Sequence, residues 1–166
     1  MIRILVSACL LGEPVRYNGT ALNQDHLLLT QWQAEGRLIS SCPEVQGGLD
    51  TPRPPAEIQG NDGSAVLSGN SRIISNQGED VTAAFIRGAK DTLQLALDNN
   101  VRLAILTERS PSCGSHQIYN GQFQRQLHRG MGVTAALLSQ HHIKVFNQHQ
   151  IDRANAWLKN LQLTQQ

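Results

Sequence analysis

The sequence lacks an excess of either charge, a long apolar run and any C-x2-C pair of cysteines. Its 14 Lys and Arg nearly balance its 13 Asp and Glu, so it has none of the basic surplus typical of proteins that bind nucleic acids or membrane surfaces. The apolar run at residues 4–11 is too short to cross a membrane and contains a cysteine, which also excludes a signal peptide. We therefore expect a cytoplasmic protein with no membrane partner and a single domain over residues 1–166.

Short apolar runs alternate with amphipathic segments, a pattern that predicts an α/β fold. The predicted strands cover residues 3–8, 37–41, 102–107 and 143–146. The predicted helices cover about 23–35, 79–100 and 152–161, the last with Asp152 as its N-cap, and a glycine-led loop enters a further helix over 130–140. This order predicts a three-layer, mostly parallel, doubly wound sheet of the Rossmann-like type.

Glycine and proline interrupt residues 47–70, which predicts a long loop between the second strand and the second helix. A small hairpin is expected around residues 65–74. Loops of this length in compact domains are usually functional or disordered, and because this one closely follows a cysteine we expect a lid or the wall of a substrate pocket. Further along, residues 130–134 carry a G-x-G pattern that offers backbone N–H groups to an anion or a carbonyl, although that pattern alone is weak evidence.

The three cysteines each lie at or just beyond the carboxyl end of a different predicted strand. They are Cys9, Cys42 and Cys113. Ligands of open α/β sheets bind along that edge, so residues far apart in sequence can meet there. An odd number of thiols in a reducing compartment also argues against structural disulfides. We expect one shared site, against the alternative that each cysteine packs as a small apolar side chain.

The chemistry of three thiols narrows the choice of metal that they would bind. A structural zinc site normally takes four protein ligands, often from C-x2-C pairs, and the sequence has no such pair. Three thiolates suit an iron-sulfur cluster better, with one iron left without a protein ligand and free to bind substrate as a Lewis acid. The alternative is a closed site completed by His116, which lies close to the third cysteine in sequence.

Polar residues near the cysteines are candidates for acid–base chemistry and substrate binding. Glu44 follows the second cysteine by two residues and is placed to act as a general base, although a solvated loop carboxylate would look the same. Ser110 and Ser112 are candidates for a proton donor or for a hydrogen bond to the cluster, or they form a turn. Arg53 and Glu57 lie in a stiff proline-rich segment, where they either line the pocket or pair with each other.

Six segments, taken in order, resemble the thiouracil desulfidase (TudS-like) family. They are V-S-A-C-L-L-G (6–12), R-Y-N-G (16–19), C-P-E-V followed by G-G-L (42–49), P-R-P-P-A-E-I (52–58), E-R-S-P-S-C-G (108–114) and G-V-T-A-A-L-L (132–138). The likeness runs along nearly the whole chain and includes all three cysteines. Asn18, Val15 and Thr107 depart from the pattern, since many relatives carry Asp, Cys and Lys there, and the first of these bears on recognition of the base.

The resemblance implies a 4Fe-4S cluster held by all three cysteines, with one iron open to the sulfur of a thiolated pyrimidine. The implied reaction is hydrolytic and non-redox, and it converts 2-thiouracil or a similar base to uracil with release of sulfide. The resemblance also implies that Glu44 activates water and that Ser110 transfers a proton, with Ser112 as the alternative.

We also expect Ser112, Arg53 and Glu57 to contact the substrate, a small thiolated nucleobase. Intact tRNA is not expected as a partner, and the oligomeric state is left open. Two alternatives belong to other classes. One is a non-catalytic iron-sulfur or zinc module for redox sensing or sulfur transfer. The other is a metal-free enzyme with a cysteine nucleophile, which the lack of a clear histidine partner weakens.

Overall fold

The structure, a computed structural model, describes all residues 1–166 and contains eight strands and six helices. The strands are β1 (Ile4–Ser7), β2 (Leu38–Ser41), β3 (Ala56–Ile58), β4 (Ile73–Ser75), β5 (Leu103–Leu106), β6 (Gln117–Tyr119), β7 (Leu127–Arg129) and β8 (Lys144–Asn147). The helices are α1 (Leu27–Ala34), α2 (Pro43–Gln46), α3 (Gly63–Leu67), α4 (Thr82–Asp98), α5 (Val133–Gln140) and α6 (Ile151–Thr164). A single turn of 3₁₀ helix, Ala8–Leu11, follows β1 directly.

Four strands form one parallel sheet with the order β2-β1-β5-β8. Ile4 pairs with Leu38 on one side and with Leu103 on the other, so β1 is a central strand. Helices carry the chain back to the starting edge between successive strands, as parallel pairing requires. The direction of winding reverses at β1, because β2 lies on one side of it and the later strands lie on the other. The crevice between the carboxyl ends of β1 and β5 is therefore the expected place for a ligand.

Side chains of the sheet alternate between two apolar layers, one on each face. One layer joins Ile4 and Val6 to Trp32 of α1 and Leu158 of α6. The other layer joins Leu5 to apolar residues of α4 and α5. Because both faces are covered, β1 and β5 are buried along their whole length and are almost entirely apolar. The three-layer, doubly wound, Rossmann-like fold predicted from the sequence is confirmed.

The segment that follows α2 contains more regular structure than predicted. β3 and β4 pair antiparallel, with Ile58 opposite Ile73. The predicted hairpin at residues 65–74 is therefore wrong in position, because its first part belongs to α3, which lies between the two strands. Asp62 explains this difference, since its side chain accepts a hydrogen bond from the Ala65 amide and caps the start of α3.

The start of α6 also differs from the prediction. Asp152 is not the N-cap, because the helix begins one residue earlier, at the buried Ile151, and Gln150 occupies the cap position. Asp152 instead lies in the first turn, where a negative charge is favourable, and its carboxylate is 3.6 Å from the imidazole of His26. None of the six helices is both long and apolar enough to cross a membrane.

Candidate functional site

The three cysteines lie at the carboxyl ends of three neighbouring strands. Cys9 is in the 3₁₀ turn after β1, Cys42 directly follows β2 and precedes α2, and Cys113 is in the loop after β5. Cys9 and Cys113 are buried, Cys42 is half-buried, and none of them forms a disulfide. Since β1 is flanked by β2 and β5, the three thiols surround the point where the winding of the sheet reverses.

Burial raises the pKa of all three thiols, and it raises that of Cys113 to about 12. The Glu44 carboxylate also raises the pKa of each thiol, and Cys42 raises that of Cys113. Glu44 follows Cys42 by two residues and accepts a hydrogen bond from Ser112, the neighbour of Cys113, so its carboxylate lies beside at least two of the three thiol-bearing segments. Neutral thiols are favoured there by themselves, whereas a bound cationic group reverses that preference and stabilises thiolates.

Glu44 lies in the first turn of α2 and is held at both carboxylate oxygens. Its Oε1 accepts a hydrogen bond from the Nε of Arg53 at 3.1 Å. Its Oε2 accepts one from the hydroxyl of Ser112 at 3.0 Å and lies 3.4 Å from that of Ser110. The side chain is 16% exposed, so the carboxylate is oriented by the protein and still partly accessible to solvent.

Two glycines place α2, and with it Glu44, against α4. A Cβ added at Gly88 would lie 1.8 Å from the carbonyl oxygen of Pro43, and one added at Gly47 would lie 2.0 Å from that of Ala84. The backbones of the two helices therefore touch at this point. No other residue type fits either position without moving α2. The close approach therefore fixes the backbone position from which the Glu44 side chain extends.

Arg53 is the side chain that orients Glu44 from the proline-rich segment. Its Nη1 donates to the carbonyl of Asp50 at 3.0 Å and to the hydroxyl of Thr51 at 3.1 Å, and its Nη2 donates to the carbonyl of Val15 at 2.9 Å. Every nitrogen of the guanidinium thus has a protein acceptor, and the side chain is only 6% exposed. The sequence offered Glu57 as an alternative ion-pair partner, but the structure pairs Arg53 with Glu44 instead.

The two serines near Cys113 form a chain of hydrogen bonds that ends on Glu44. Their hydroxyl oxygens are 2.8 Å apart. Each hydroxyl carries one proton, and the shortest contacts assign the Ser110 proton to Ser112 and the Ser112 proton to Glu44. Ser112 is buried, whereas Ser110 is half-buried and forms the accessible end of the chain. The Ser110 oxygen also accepts the amides of Ser112 and Cys113, which ties it to the loop.

Glu108 supports the loop that carries Cys113. Its carboxylate accepts the backbone N–H groups of Ser115, His116 and Gln117 and the side-chain amide of Asn147. Burial opposes ionisation of Glu108, but these hydrogen bonds outweigh it and lower the pKa to about 2. Sequence reasoning assigned Glu108 no role, and the available signal was its position at the start of the E-R-S-P-S-C-G segment.

The start of α5 supports the same loop from the other side. The amides of Val133 and Thr134 donate to the carbonyls of Pro111 and Ser112, each at 2.8 Å. A Cβ on Gly132 would lie 2.5 Å from the carbonyl carbon of Ser112, so only glycine allows this approach. The N–H groups that follow Gly132 are therefore engaged with carbonyls of the protein itself.

Two other candidates lie away from this hydrogen-bonded set. The Oε1 of Glu57 accepts the amides of Gly121 and Phe123, at 3.0 and 3.2 Å, and so holds the turn after β6. His116 is exposed and contacts Glu108 and the neighbouring Ser115 rather than a cysteine. No three His, Cys, Asp or Glu side chains lie close enough together to hold a single metal ion. In this structure His116 therefore belongs to the hydrogen-bonded group around Glu108.

The fold and the site together define an α/β protein with three cysteines at the carboxyl ends of neighbouring strands, around the switch point of a parallel sheet. The chain belongs to the 2-thiouracil desulfurase family, whose profile matches residues 4–150. It is 44% identical over 149 residues to the uncharacterized protein YbbK of Bacillus subtilis (strain 168). The aligned residues make up 90% of this chain and 97% of that protein. A solved structure of the 4Fe-4S-dependent thiouracil desulfidase TudS is similar with a TM-score of 0.87 and 45% identity, over 96% of this chain and 99% of that one. The family predicted from the sequence is confirmed.

Proposed function

We propose that this protein removes sulfur from a thiolated pyrimidine such as 2-thiouracil, giving uracil and sulfide, and that it uses a 4Fe-4S cluster held by Cys9, Cys42 and Cys113. The observation that carries the proposal is the placement of three thiols at the carboxyl ends of three neighbouring strands, with Glu44 hydrogen-bonded to Ser112 beside the third thiol. Membership of the 2-thiouracil desulfurase family and the similarity to TudS support the same substrate class and cofactor.

The donor set fits an iron-sulfur cluster. Thiolates are soft ligands, which such clusters prefer, and a cluster lets each thiolate bind a different iron. The thiols are too widely spaced for one shared ion, and they are buried enough to need a cationic group before they ionise. When bound, the cluster would supply an iron without a protein ligand, a Lewis acid for the sulfur of the substrate.

The overall reaction balances without electron transfer. A thiocarbonyl and one water give a carbonyl and hydrogen sulfide, so the carbon–sulfur bond is exchanged for a carbon–oxygen bond and no atom changes oxidation state. The protein then has two tasks, to take a proton from the attacking water and to return protons to the departing groups. Both tasks need a carboxylate or hydroxyl that is oriented and can reach the crevice.

Glu44 suits the role of general base. Arg53 holds one of its oxygens and Ser112 the other, so the carboxylate faces the crevice in a single orientation. Its partial exposure leaves room for a water molecule. Arg53 has its nitrogens engaged with protein acceptors, which favours a role in orienting Glu44 over direct binding of the substrate.

Ser110 suits the role of proton donor, and Ser112 that of the relay behind it. Ser110 is the half-buried end of the chain of hydroxyls, so a substrate in the crevice would meet it first. Once Glu44 has taken a proton from water, both hydroxyls can rotate so that donation runs from Glu44 through Ser112 to Ser110 over contacts of 3.0 and 2.8 Å, and Ser110 can then give its proton to the substrate and be reprotonated along this chain. The proton taken from water thus has a path to the product side.

The deciding experiment is anaerobic reconstitution followed by chromatographic detection of uracil from 2-thiouracil and assay of the released sulfide. We expect turnover by the loaded wild type, near-complete loss in Glu44→Gln, and retention in the control Glu79→Gln, which changes an exposed carboxylate. A fully loaded protein that forms no uracil would overturn the proposal and favour a non-catalytic iron-sulfur module.

A further inference from the structure

Two further hydroxyl groups contact sulfur atoms of the site, and they do so across the two central strands. Thr107, which follows β5, has its Oγ1 2.9 Å from the Sγ of Cys9, which follows β1. Ser7, the last residue of β1, donates from its Oγ to the Sγ of Cys113, which follows β5, at 3.7 Å. The arrangement is crossed, because each of the two sulfurs is contacted by a hydroxyl group from the end of the other strand.

Both Ser7 and Ser112 lie near the Cys113 sulfur, and their other contacts decide which one donates to it, since each hydroxyl has only one proton. The Oγ of Ser7 accepts the backbone N–H of Thr107 at 3.0 Å, which leaves its own proton for Cys113. Ser112 is also 3.4 Å from the Cys113 sulfur, but its proton is directed to Glu44 at the shorter distance of 3.0 Å. Ser7 is therefore the available hydroxyl donor to Cys113.

Both hydroxyls act against the cost of burying charged sulfur. Cys9 and Cys113 are 8% and 5% exposed, and burial disfavours their thiolate forms. A hydroxyl that donates to a thiolate favours it, so the two contacts offset part of that cost. Hydrogen bonds to the sulfur ligands of an iron-sulfur cluster also stabilise its more negative, reduced state, and they withdraw electron density from the iron.

We propose that Ser7 and Thr107 are positioning residues that hold the thiolates of Cys113 and Cys9 and raise the reduction potential of the cluster. This inference rests on the cluster of the proposed function, but not on the desulfidation. It assigns a role to two residues that form no hydrogen bond with Glu44 or the serine relay. Ser7 at the end of β1 supports Cys113, which follows β5, and Thr107 after β5 supports Cys9, which follows β1.

The test compares Thr107→Val, which removes the hydroxyl but keeps the shape, with Thr107→Ser, which keeps the hydroxyl, and with Ser7→Ala. The midpoint potential of the cluster is measured in substrate-free holoprotein by anaerobic dithionite titration followed by EPR, together with iron and sulfide content. We expect a more negative potential in T107V and S7A, a larger shift in the double variant, and a potential close to wild type in T107S. Thr92→Val is the matched control, because the hydroxyl of this buried threonine contacts Ser41 at 3.1 Å and no sulfur.

The outcomes separate this inference from the proposed function. Unchanged potentials in T107V and S7A, or an equal shift in T92V, would overturn the inference even if uracil is formed. Shifted potentials in a protein that forms no uracil would support it while overturning the desulfidase proposal. Loss of the cluster from T107V but not from T107S or T92V also supports it, and wild-type protein that binds no cluster overturns both.

Discussion

Ser112 donates a hydrogen bond of 3.0 Å to Glu44, although the two residues are 68 positions apart in the sequence. The bond joins the loop after β5 to the first turn of α2, across the crevice where the winding of the sheet reverses. This hydrogen bond fixes the position of Glu44, the candidate base, relative to the loop that carries Cys113.

The serine relay predicts that Ser112→Ala and Ser110→Ala both slow turnover, because each breaks the proton path between Glu44 and the crevice. We expect kcat to fall by on the order of 10²-fold in each variant with little change in KM, as for the loss of a general acid–base group. Anaerobic steady-state assays at matched iron content measure this, with the exposed Ser64→Ala as the control. A wild-type kcat in S112A would show that no relay operates.

Arg53 holds Glu44 in place, an arrangement that we call the Arg53 clamp, and it predicts that Arg53→Lys is not a conservative change. A lysine keeps the charge, but one ammonium cannot reach Glu44, Asp50 and Val15 together as the guanidinium does. We expect a clear drop in kcat and a loss of about 1–3 kcal/mol in the free energy of unfolding, since buried acceptors lose their donors. Assays and urea unfolding test this against the exposed Arg72→Lys, and equal behaviour of the two variants would refute the clamp.

The low pKa of Glu108 predicts an acid-sensitive loop. Because hydrogen bonds hold the folded pKa at about 2, below the ordinary value of 4.5, Glu108 contributes stability that is fully present above about pH 5 and is lost as the pH falls towards about 2. Glu108→Gln should therefore be less stable than wild type at neutral pH, and the gap should narrow as the pH falls. Urea midpoints measured across that range test the sign, with Glu79→Gln as control, and a gap that widens in acid would contradict it.

The contact of α2 with α4 predicts a strong effect of one methyl group. Gly88→Ala would place a Cβ 1.8 Å from the carbonyl oxygen of Pro43, so α2 has to move and carry Glu44 with it. We expect a cost of about 1–3 kcal/mol or more in stability and a loss of activity. The exposed Ala83→Ser on the same helix controls for a general effect on α4. Wild-type kcat in G88A would mean that the placement of α2 is not critical.

The sequence carried enough information to predict the sheet and the place of the cysteines. Buried parallel strands are short apolar runs, and residues that follow them must meet at one edge, so Cys9, Cys42 and Cys113 could be assigned to a common site. The central strands and the helix α4 were predicted close to their observed bounds for the same reason. The roles of the site residues remain predictions that the experiments above test.

Contacts between loops could not be predicted in the same way. Arg53 and Glu57 are near neighbours in sequence, yet the first holds Glu44 and the second holds the turn at Gly121. Such pairings depend on the path of irregular backbone, which has no periodic signal. The hairpin was misplaced for a related reason, because a helix of five residues capped by Asp62 leaves little pattern in the sequence.

The contacts that hold the Cys113 loop and α2 in place are independent of the thiols. Glu108 and the first amides of α5 hold that loop through oxygen and nitrogen contacts alone, and Gly47 and Gly88 hold α2 through backbone packing. None of these contacts includes a sulfur atom, so the shape of the site does not depend on a bound cofactor. The proposed cluster would therefore enter a site whose shape the protein already holds, and we expect iron and sulfide to restore it to protein that has lost it, without refolding.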